Sequence, residues 1–251
     1  MIRLVRAEWT KLFTTKVWIG LLLGACVLVG GFAALLTGFA GNADSGIPPV
    51  GTEGFEEIAL AQATNATVLA LILGIIGMTQ EYRHRTATPT FLAEPRRWRV
   101  VVAKIIAYAL AAVPFALVAL AVNVLVVSVY AGARGAAPSL TGHNLEVLSS
   151  SGLALVIYAL IGVGIGALLR NQVGAIVGGL VYLFVVEPVI RSIPATSGAY
   201  KWMPGGALEA MTATFQGPDL LGAWEGGLLL VGYGLLAALL GTLLAVRRDV
   251  V

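Results

Sequence analysis

Residues 81–104 read EYRHRTATPTFLAEPRRWRVVVAK and lie between two long apolar segments. The stretch holds two acidic side chains, Glu81 and Glu94, and a larger set of basic ones. The basic residues are Arg83, Arg85, Arg96, Arg97, Arg99 and Lys104. Basic residues beside apolar spans mark the cytoplasmic side of a membrane protein. The stretch therefore predicts the topology of the chain and also an inner surface on which another protein can dock.

The rest of the composition is typical of a protein that lies in lipid. Of the 251 residues, 58% are hydrophobic and 12% are charged, whereas an average soluble domain has about 25% charged residues. Six spans of about 20 residues, each long enough to cross a bilayer, would nearly fill the chain. We therefore expect one all-α integral membrane domain over residues 1–251, with no separate soluble catalytic domain.

Apolar runs locate the six predicted spans. They cover about residues 17–40, 58–80, 101–130, 149–169, 172–190 and 223–246. The third run is longer than a crossing needs, so it tilts or projects into the cytoplasm. Lys104, at its start, is expected to anchor the third span at the inner headgroups.

Two further segments are apolar without being spans. In residues 2–14, Trp9 lies on an apolar helical face, and Glu8 and Lys11 lie on the opposite, polar face. This pattern favours an amphipathic helix in the membrane interface over a cytoplasmic extension of the first span. Residues 191–222 are too polar to span but apolar enough to dip into the outer leaflet, which predicts a re-entrant segment.

The positive charges predict the orientation of the spans. Six spans place both termini on the same side of the membrane as residues 81–104. That side then holds 13 of the 16 Lys and Arg residues, and the other three are Arg134, Arg191 and Lys201. This asymmetry predicts that both termini are cytoplasmic. It also accounts for the net charge of +3, so we expect no nucleic-acid partner.

The chain contains no motif that indicates catalysis or nucleotide binding. It has no G-x-x-x-x-G-K-[ST], G-x-S-x-G or H-E-x-x-H sequence, which would indicate a nucleotide loop, a serine hydrolase or a zinc protease. His84 and His143 fall on opposite sides of the predicted membrane, so they cannot share a metal ion or a triad. We expect a protein that is not an enzyme and that binds no metal or cofactor.

Polar residues within the spans are candidates for a translocation path. Gln62 and Asn65 lie in the first half of the second span, where they either hydrogen-bond to other helices or line a substrate path. Glu187 lies near the outer end of the fifth span. It either pairs with Arg191 one turn further on or contacts substrate.

Several motifs resemble those of type-2 ABC transporter permeases, and the resemblance extends over nearly the whole chain. The basic stretch carries Glu81-x-Arg83-x-x-Thr86 and Leu92-x-x-Pro95. The opening residues 8–18, EWTKLFTTKVW, are similar to the start of those permeases, and Pro204-Gly205-Gly206 before the last span also fits. The resemblance implies the permease subunit of an ABC exporter in the cell membrane.

The family resemblance also implies partners and contact residues. ATP and Mg would be bound by a separate ATPase subunit. Two copies of the chain, or one copy and a related permease, would enclose a path between their second and fifth spans. Residues 81–92 would hold the coupling helix, with Thr88 as its N-cap and Pro89 as its first residue. The contacts with the ATPase would come from Glu81, Arg83, Thr86, Phe91 and Leu92.

Two other classes of protein remain open. An ion-coupled secondary transporter would work without an ATPase, and it would need ionisable groups near the middle of the membrane. An intramembrane enzyme would need paired polar groups from different spans at one depth. The residues alone leave both as alternatives to the ABC permease.

Overall fold

The computed structural model describes residues 1–212 and 220–247, with side chains as far as residue 243. Within these ranges it is all helical, with 82% of residues in helices and no strands. Six segments are long and apolar enough to cross a membrane, so the predicted all-α, six-span class is confirmed. They are Val17–Phe39, Glu53–Arg83, Arg97–Ala133, His143–Leu169, Gln172–Ser192 and Ala223–Leu243. Predictions that fall on residues 213–219 and on Arg248 lie outside the described residues.

Shorter helices flank the spans. In chain order the helices are α1 (Ile2–Thr14), α2 (Val17–Phe39), α3 (Glu53–Ala61), α4 (Thr67–Arg83), α5 (Ala87–Ala93), α6 (Arg97–Ala133), α7 (His143–Leu169), α8 (Gln172–Val181), α9 (Glu187–Ser192), α10 (Ser197–Tyr200), α11 (Pro204–Thr212) and α12 (Ala223–Arg247). A 3₁₀ turn, Gln62–Ala66, joins α3 to α4 within the second span. A π-helical turn, Tyr182–Val186, joins α8 to α9 within the fifth span.

Three spans begin earlier than the apolar runs that predict them. The second begins at Glu53, where the Thr52 side chain accepts a hydrogen bond from the N–H of Phe55 and caps the helix. The third contains 37 residues, which is about 55 Å of helix against a hydrocarbon core of about 30 Å. Polar turns of these helices therefore extend beyond the apolar segment, and hydropathy alone does not detect them.

The fourth span, α7, lies at the centre of the bundle and packs closely against α4. Gly74 on α4 and Gly162 on α7 permit this contact. A Cβ at Gly74 would overlap the carbonyl of Ala159, and one at Gly162 would overlap the carbonyl of Leu71. Small residues of this kind let membrane helices approach backbone to backbone. The second and fourth spans consequently form the axis around which the others pack.

The other spans expose apolar side chains on the outside of the bundle. The first, fifth and sixth spans are mostly unburied, and they present Leu23, Phe184 and Leu235, each more than half exposed. An apolar belt of this extent is suited to contact with lipid or with another membrane subunit. We refer below to the end of the bundle that carries the α4–α5–α6 connection as the basic end, and to the end that carries α10 and α11 as the far end.

The contact between the second and fourth spans gives a direct stability test. We expect Gly162→Ala to destabilise the folded chain by about 1–3 kcal/mol, because the added methyl group collides with the α4 backbone. Gly31→Ala is the matched control, since a Cβ there meets no atom within 4 Å and alanine is the better helix former. Thermal unfolding in detergent measures both variants. Equal melting temperatures for the two would contradict the close contact.

Candidate functional site

The connection from α4 to α5 is a tight turn at the basic end. Arg85 has a φ of 56°, in the left-handed region that residues other than glycine seldom adopt. The N–H of Thr86 donates to the carbonyl of Glu81 at 2.8 Å, and the N–H of Arg85 donates to that of Tyr82 at 3.3 Å. This is the paired hydrogen-bond pattern that ends a helix with a left-handed residue. It fixes the direction in which α5 leaves the second span.

The helix α5 starts earlier than expected. The prediction of Thr88 as N-cap and Pro89 as the first helical residue is wrong, because Thr86 is the N-cap and the helix begins at Ala87. Pro89 fits as the third residue, since N–H groups in the first turn of a helix have no acceptor within it. The first N–H with such an acceptor is that of Thr90, which donates to the carbonyl of Thr86 at 3.2 Å.

The five residues expected to contact an ATPase divide between two environments. Arg83 and Thr86 are exposed, Phe91 is partly buried, and Leu92 is 78% exposed. Glu81 points into the bundle instead, with only 4% of its surface accessible. The exposed residues thus lie together on and beside α5, whereas Glu81 interacts with other parts of the chain.

Glu81 belongs to a cluster that we call the charge quartet, formed by the buried residues Glu8, Glu81 and Lys104 and the partly exposed Lys11. The Nζ of Lys11 lies 2.6 Å from Glu8 Oε1 and 2.6 Å from Glu81 Oε1. The Nζ of Lys104 lies 2.6 Å from Glu8 Oε2 and 3.4 Å from Glu81 Oε1. Two acids and two bases balance, so each charge removed from water has partners of opposite sign. The quartet joins α1, α4 and α6.

The quartet corrects two expectations. Lys104 is fully buried and also donates to the carbonyl of Gly77 at 3.2 Å, so its predicted place at the headgroups is wrong. Glu8, on the expected polar face of α1, is also buried. Lys11 remains partly exposed, and although burial opposes its charge, its hydrogen bonds to Glu8 and Glu81 raise its pKa above the usual value. Leu12 of the apolar face is buried as well, so the side of α1 that meets the protein includes residues of both predicted faces.

One hydrogen bond links α5 to the quartet. The hydroxyl of Thr90 donates to Glu81 Oε1 at 3.3 Å, on the same oxygen that receives Lys11. A cavity of about 240 Å³ lies beside this contact, and Leu4, Glu8 and Ala93 are among its lining residues. The exposed helix is therefore attached to the spans through its polar side chain as well as through its two ends.

The polar residues predicted in the second span form hydrogen bonds with residues within one helical turn of them. Gln62 Nε2 donates to the carbonyl of Ile58 at 3.0 Å, and Asn65 Nδ2 donates to the carbonyl and to Oε1 of Gln62, each at 3.0 Å. In the described part of the chain, neither makes a hydrogen bond or ion pair with Glu187. These bonds stabilise the 3₁₀ turn between α3 and α4 rather than joining separate helices.

Glu187 is buried at the far end, but the expected ion pair with Arg191 is wrong. Arg191 instead contacts Glu209 of α11 at 2.7 Å. Glu187 Oε1 accepts the N–H of Gly205 at 3.0 Å, at the start of α11, where free N–H groups favour a carboxylate. A side chain at position 205 would overlap Glu187, so glycine is needed there. Sequence spacing along α9 gave no sign of this contact with a separate helix.

A cleft opens between the fifth and sixth spans. Its volume is about 450 Å³, and its wall is apolar apart from three tyrosines, Tyr158, Tyr182 and Tyr233. Tyr233 donates from its hydroxyl to the carbonyl of Trp202 at 2.5 Å, which joins the sixth span to the far-end segment. The sequence contains no motif around these tyrosines, since they come from three separate spans.

Six apolar helical spans define a multi-pass membrane protein, and a short helix at the basic end and a hydrogen-bonded segment at the far end complete it. The family model of ABC-2 family transporter proteins matches residues 4–186. The match extends from α1 through the π-helical turn of the fifth span and includes the charge quartet and α5. The chain therefore belongs to the ABC-2 family of transporter proteins. No curated protein matches it.

The balance of charge in the quartet can be tested by removing one or two members. We expect Lys104→Met to destabilise the chain by about 3–5 kcal/mol, because two buried carboxylates then share one cation. Adding Glu8→Gln restores neutrality, so the double variant should unfold at a higher temperature than Lys104→Met alone. Thermal unfolding in detergent measures both.

A matched control for the quartet breaks a less buried ion pair on the same side of the bundle. Arg99 lies 3.3 Å from Glu94, with both side chains partly exposed. Arg99→Met should cost no more than about 1 kcal/mol, as solvated pairs usually do. Additive losses from Glu8→Gln and Lys104→Met would mean that the two charges do not interact.

Proposed function

We propose that the chain is the membrane-spanning permease subunit of an ABC exporter, driven by ATP hydrolysis in a separate ATPase subunit. ATP and Mg would be bound by that subunit and not by this chain. Family membership supports the transport role. The observation that carries the coupling to an ATPase is α5, a short exposed helix attached through Thr90 to the buried charges that join three helices.

The exposed residues of α5 would form the docking surface. Leu92 presents a large apolar side chain, and Arg83 and Thr86 supply a charge and a hydroxyl beside it. An apolar anchor with a polar surround is the usual composition of a protein contact. In this proposal Glu81 is not an ATPase contact. Its role is to hold α5 against α1 and α6 through the quartet.

Movement of the ATPase would reach the spans through two connections. One is the tight turn at Arg85, which joins α5 rigidly to the second span. The other is the Thr90–Glu81 hydrogen bond, which leads through Lys11 and Glu8 to α1 and through Lys104 to α6. A displacement of α5 would thus move the second and third spans and the N-terminal helix together.

A complete transporter would contain this chain twice, or once with a related permease. The exposed apolar side chains of the fifth span, such as Phe184 and Val177, are available for that contact. The assembly would lie in the cell membrane with the basic end and both termini in the cytoplasm, as the distribution of Lys and Arg favours. The far-end segment would then cap the exit of the path.

The docking surface can be tested by co-purification. We expect a tagged chain to capture vanadate-sensitive ATP hydrolysis from membranes of its own cells, and the double variant Arg83→Glu/Leu92→Asp to capture at least about tenfold less, because it places acidic charge on the anchor. Melting temperature should not change, since both side chains are exposed.

Leu140→Asp serves as the matched control, because Leu140 is a leucine 46% exposed outside the basic end. It should capture the ATPase as the unaltered chain does. A tagged chain that transports substrate without any associated ATPase would overturn the proposal. Normal capture by the double variant would move the docking surface away from α5.

A further inference from the structure

The cleft between the fifth and sixth spans has an apolar body and an aromatic end. Ile161, Ile165 and Leu183 line its apolar part, and Tyr158, Tyr182 and Tyr233 contribute the only aromatic rings among the described lining residues. Its volume of about 450 Å³ falls within the range of pockets that hold small organic molecules. Tyr233 donates to Trp202 of the far-end segment, and Tyr158 and Tyr182 lie near Glu187 at the far end of the fifth span. The aromatic part of the cleft is therefore at the far end.

A buried carboxyl group, that of Glu187, lies behind this aromatic end. Glu187 lies beside Tyr182, and its carboxylate contacts Gly205, the residue after the cleft-lining Pro204. Among the described residues no Lys or Arg pairs with Glu187, because Arg191 is directed to Glu209. The carboxyl group therefore has the N-terminus of a helix as a partner but no positively charged side chain.

Tyr158 gives an independent sign of a missing partner. Only 2% of its surface is exposed, and its hydroxyl has no hydrogen-bond partner among the described residues. The hydroxyl lies within electrostatic reach of Glu187, so it faces the same end of the cleft. A buried hydroxyl without a partner is costly. Its oxygen lone pairs are free to face a positive group.

We propose that this cleft binds an apolar organic cation, with its hydrocarbon body against Ile161 and Ile165 and its positive group among the tyrosines in front of Glu187. Aromatic faces attract cations that carry no hydrogen-bond donors, and the attraction grows where water is excluded. A bound cation favours the ionised form of Glu187, and the resulting carboxylate adds to this attraction in a low-dielectric setting. If the proposed export function holds, such cations are the substrate class of the transporter.

The opposite charge would not be accommodated. A bound anion would face the negative charge of Glu187 and the negative faces of the tyrosine rings. A neutral apolar molecule would fill the cleft but would leave Glu187 without compensation. Charge is therefore the property that separates this proposal from a simple apolar groove filled by lipid.

Two probes of the same shape and opposite charge test the inference. The full-length chain, in the assembly in which it is extracted, is reconstituted in phosphatidylcholine nanodiscs, and binding of radiolabelled tetraphenylphosphonium and tetraphenylborate is measured at equilibrium. We expect saturable binding of the cation and none of the anion. Glu187→Gln, which can still accept the N–H of Gly205, should weaken cation binding at least about tenfold.

Variants of Tyr182 separate the contribution of the aromatic rings to cation binding from that of Glu187. Tyr182→Leu should weaken the cation several-fold and Tyr182→Phe much less, because phenylalanine keeps the aromatic face. Glu53→Gln, at an exposed acid outside the cleft, should leave binding unchanged. Equal binding of both probes, or full cation binding by Glu187→Gln, would overturn the inference. A chain that binds the cation but captures no ATPase would keep this site and refute the proposed function instead.

Discussion

A cluster of four charged side chains at the basic end, three of them buried, constrains the rest of the structure. A carboxylate or ammonium removed from water costs several kcal/mol, and only close partners of opposite sign recover it. Glu8 and Glu81 each contact both Lys11 and Lys104, so no member can move away alone. The N-terminal helix is consequently held against the second and third spans by electrostatics, whereas the second and fourth spans are held by close backbone packing at Gly74 and Gly162.

This arrangement gives α5 its particular position. A seven-residue helix is too short to be stable by itself in water, yet α5 keeps a defined orientation because both of its connections are fixed. The turn at Arg85 sets its start, and Thr90 joins it to Glu81. The same contacts leave Leu92 facing outward. A rigid attachment on one side and an exposed apolar side chain on the other fit the docking role proposed for α5.

The sequence predicted the class of fold well and the polar contacts poorly, for a physical reason. Six spans follow from hydropathy and length, because the bilayer imposes both on each segment separately. The partners of Lys104, Glu187 and Arg191 depend on which helices meet, and no local pattern records that. Periodicity placed Glu8 and Leu12 on opposite faces of α1, whereas both are buried against the protein. The tyrosines of the cleft come from three spans and carry no motif.

The buried carboxyl groups at the two ends of the bundle have different kinds of partner. At the basic end, Glu81 is neutralised by two lysines and further bound by Thr90, so its surroundings need nothing from outside the chain. At the far end, Glu187 has the N–H of Gly205 and a neighbouring tyrosine but no described cation. The first arrangement fits the proposed role of the quartet, in which it stays closed while it transmits movement. The second leaves a carboxyl group without a charged partner beside an open cleft, where a cation of the proposed kind would pair with its ionised form.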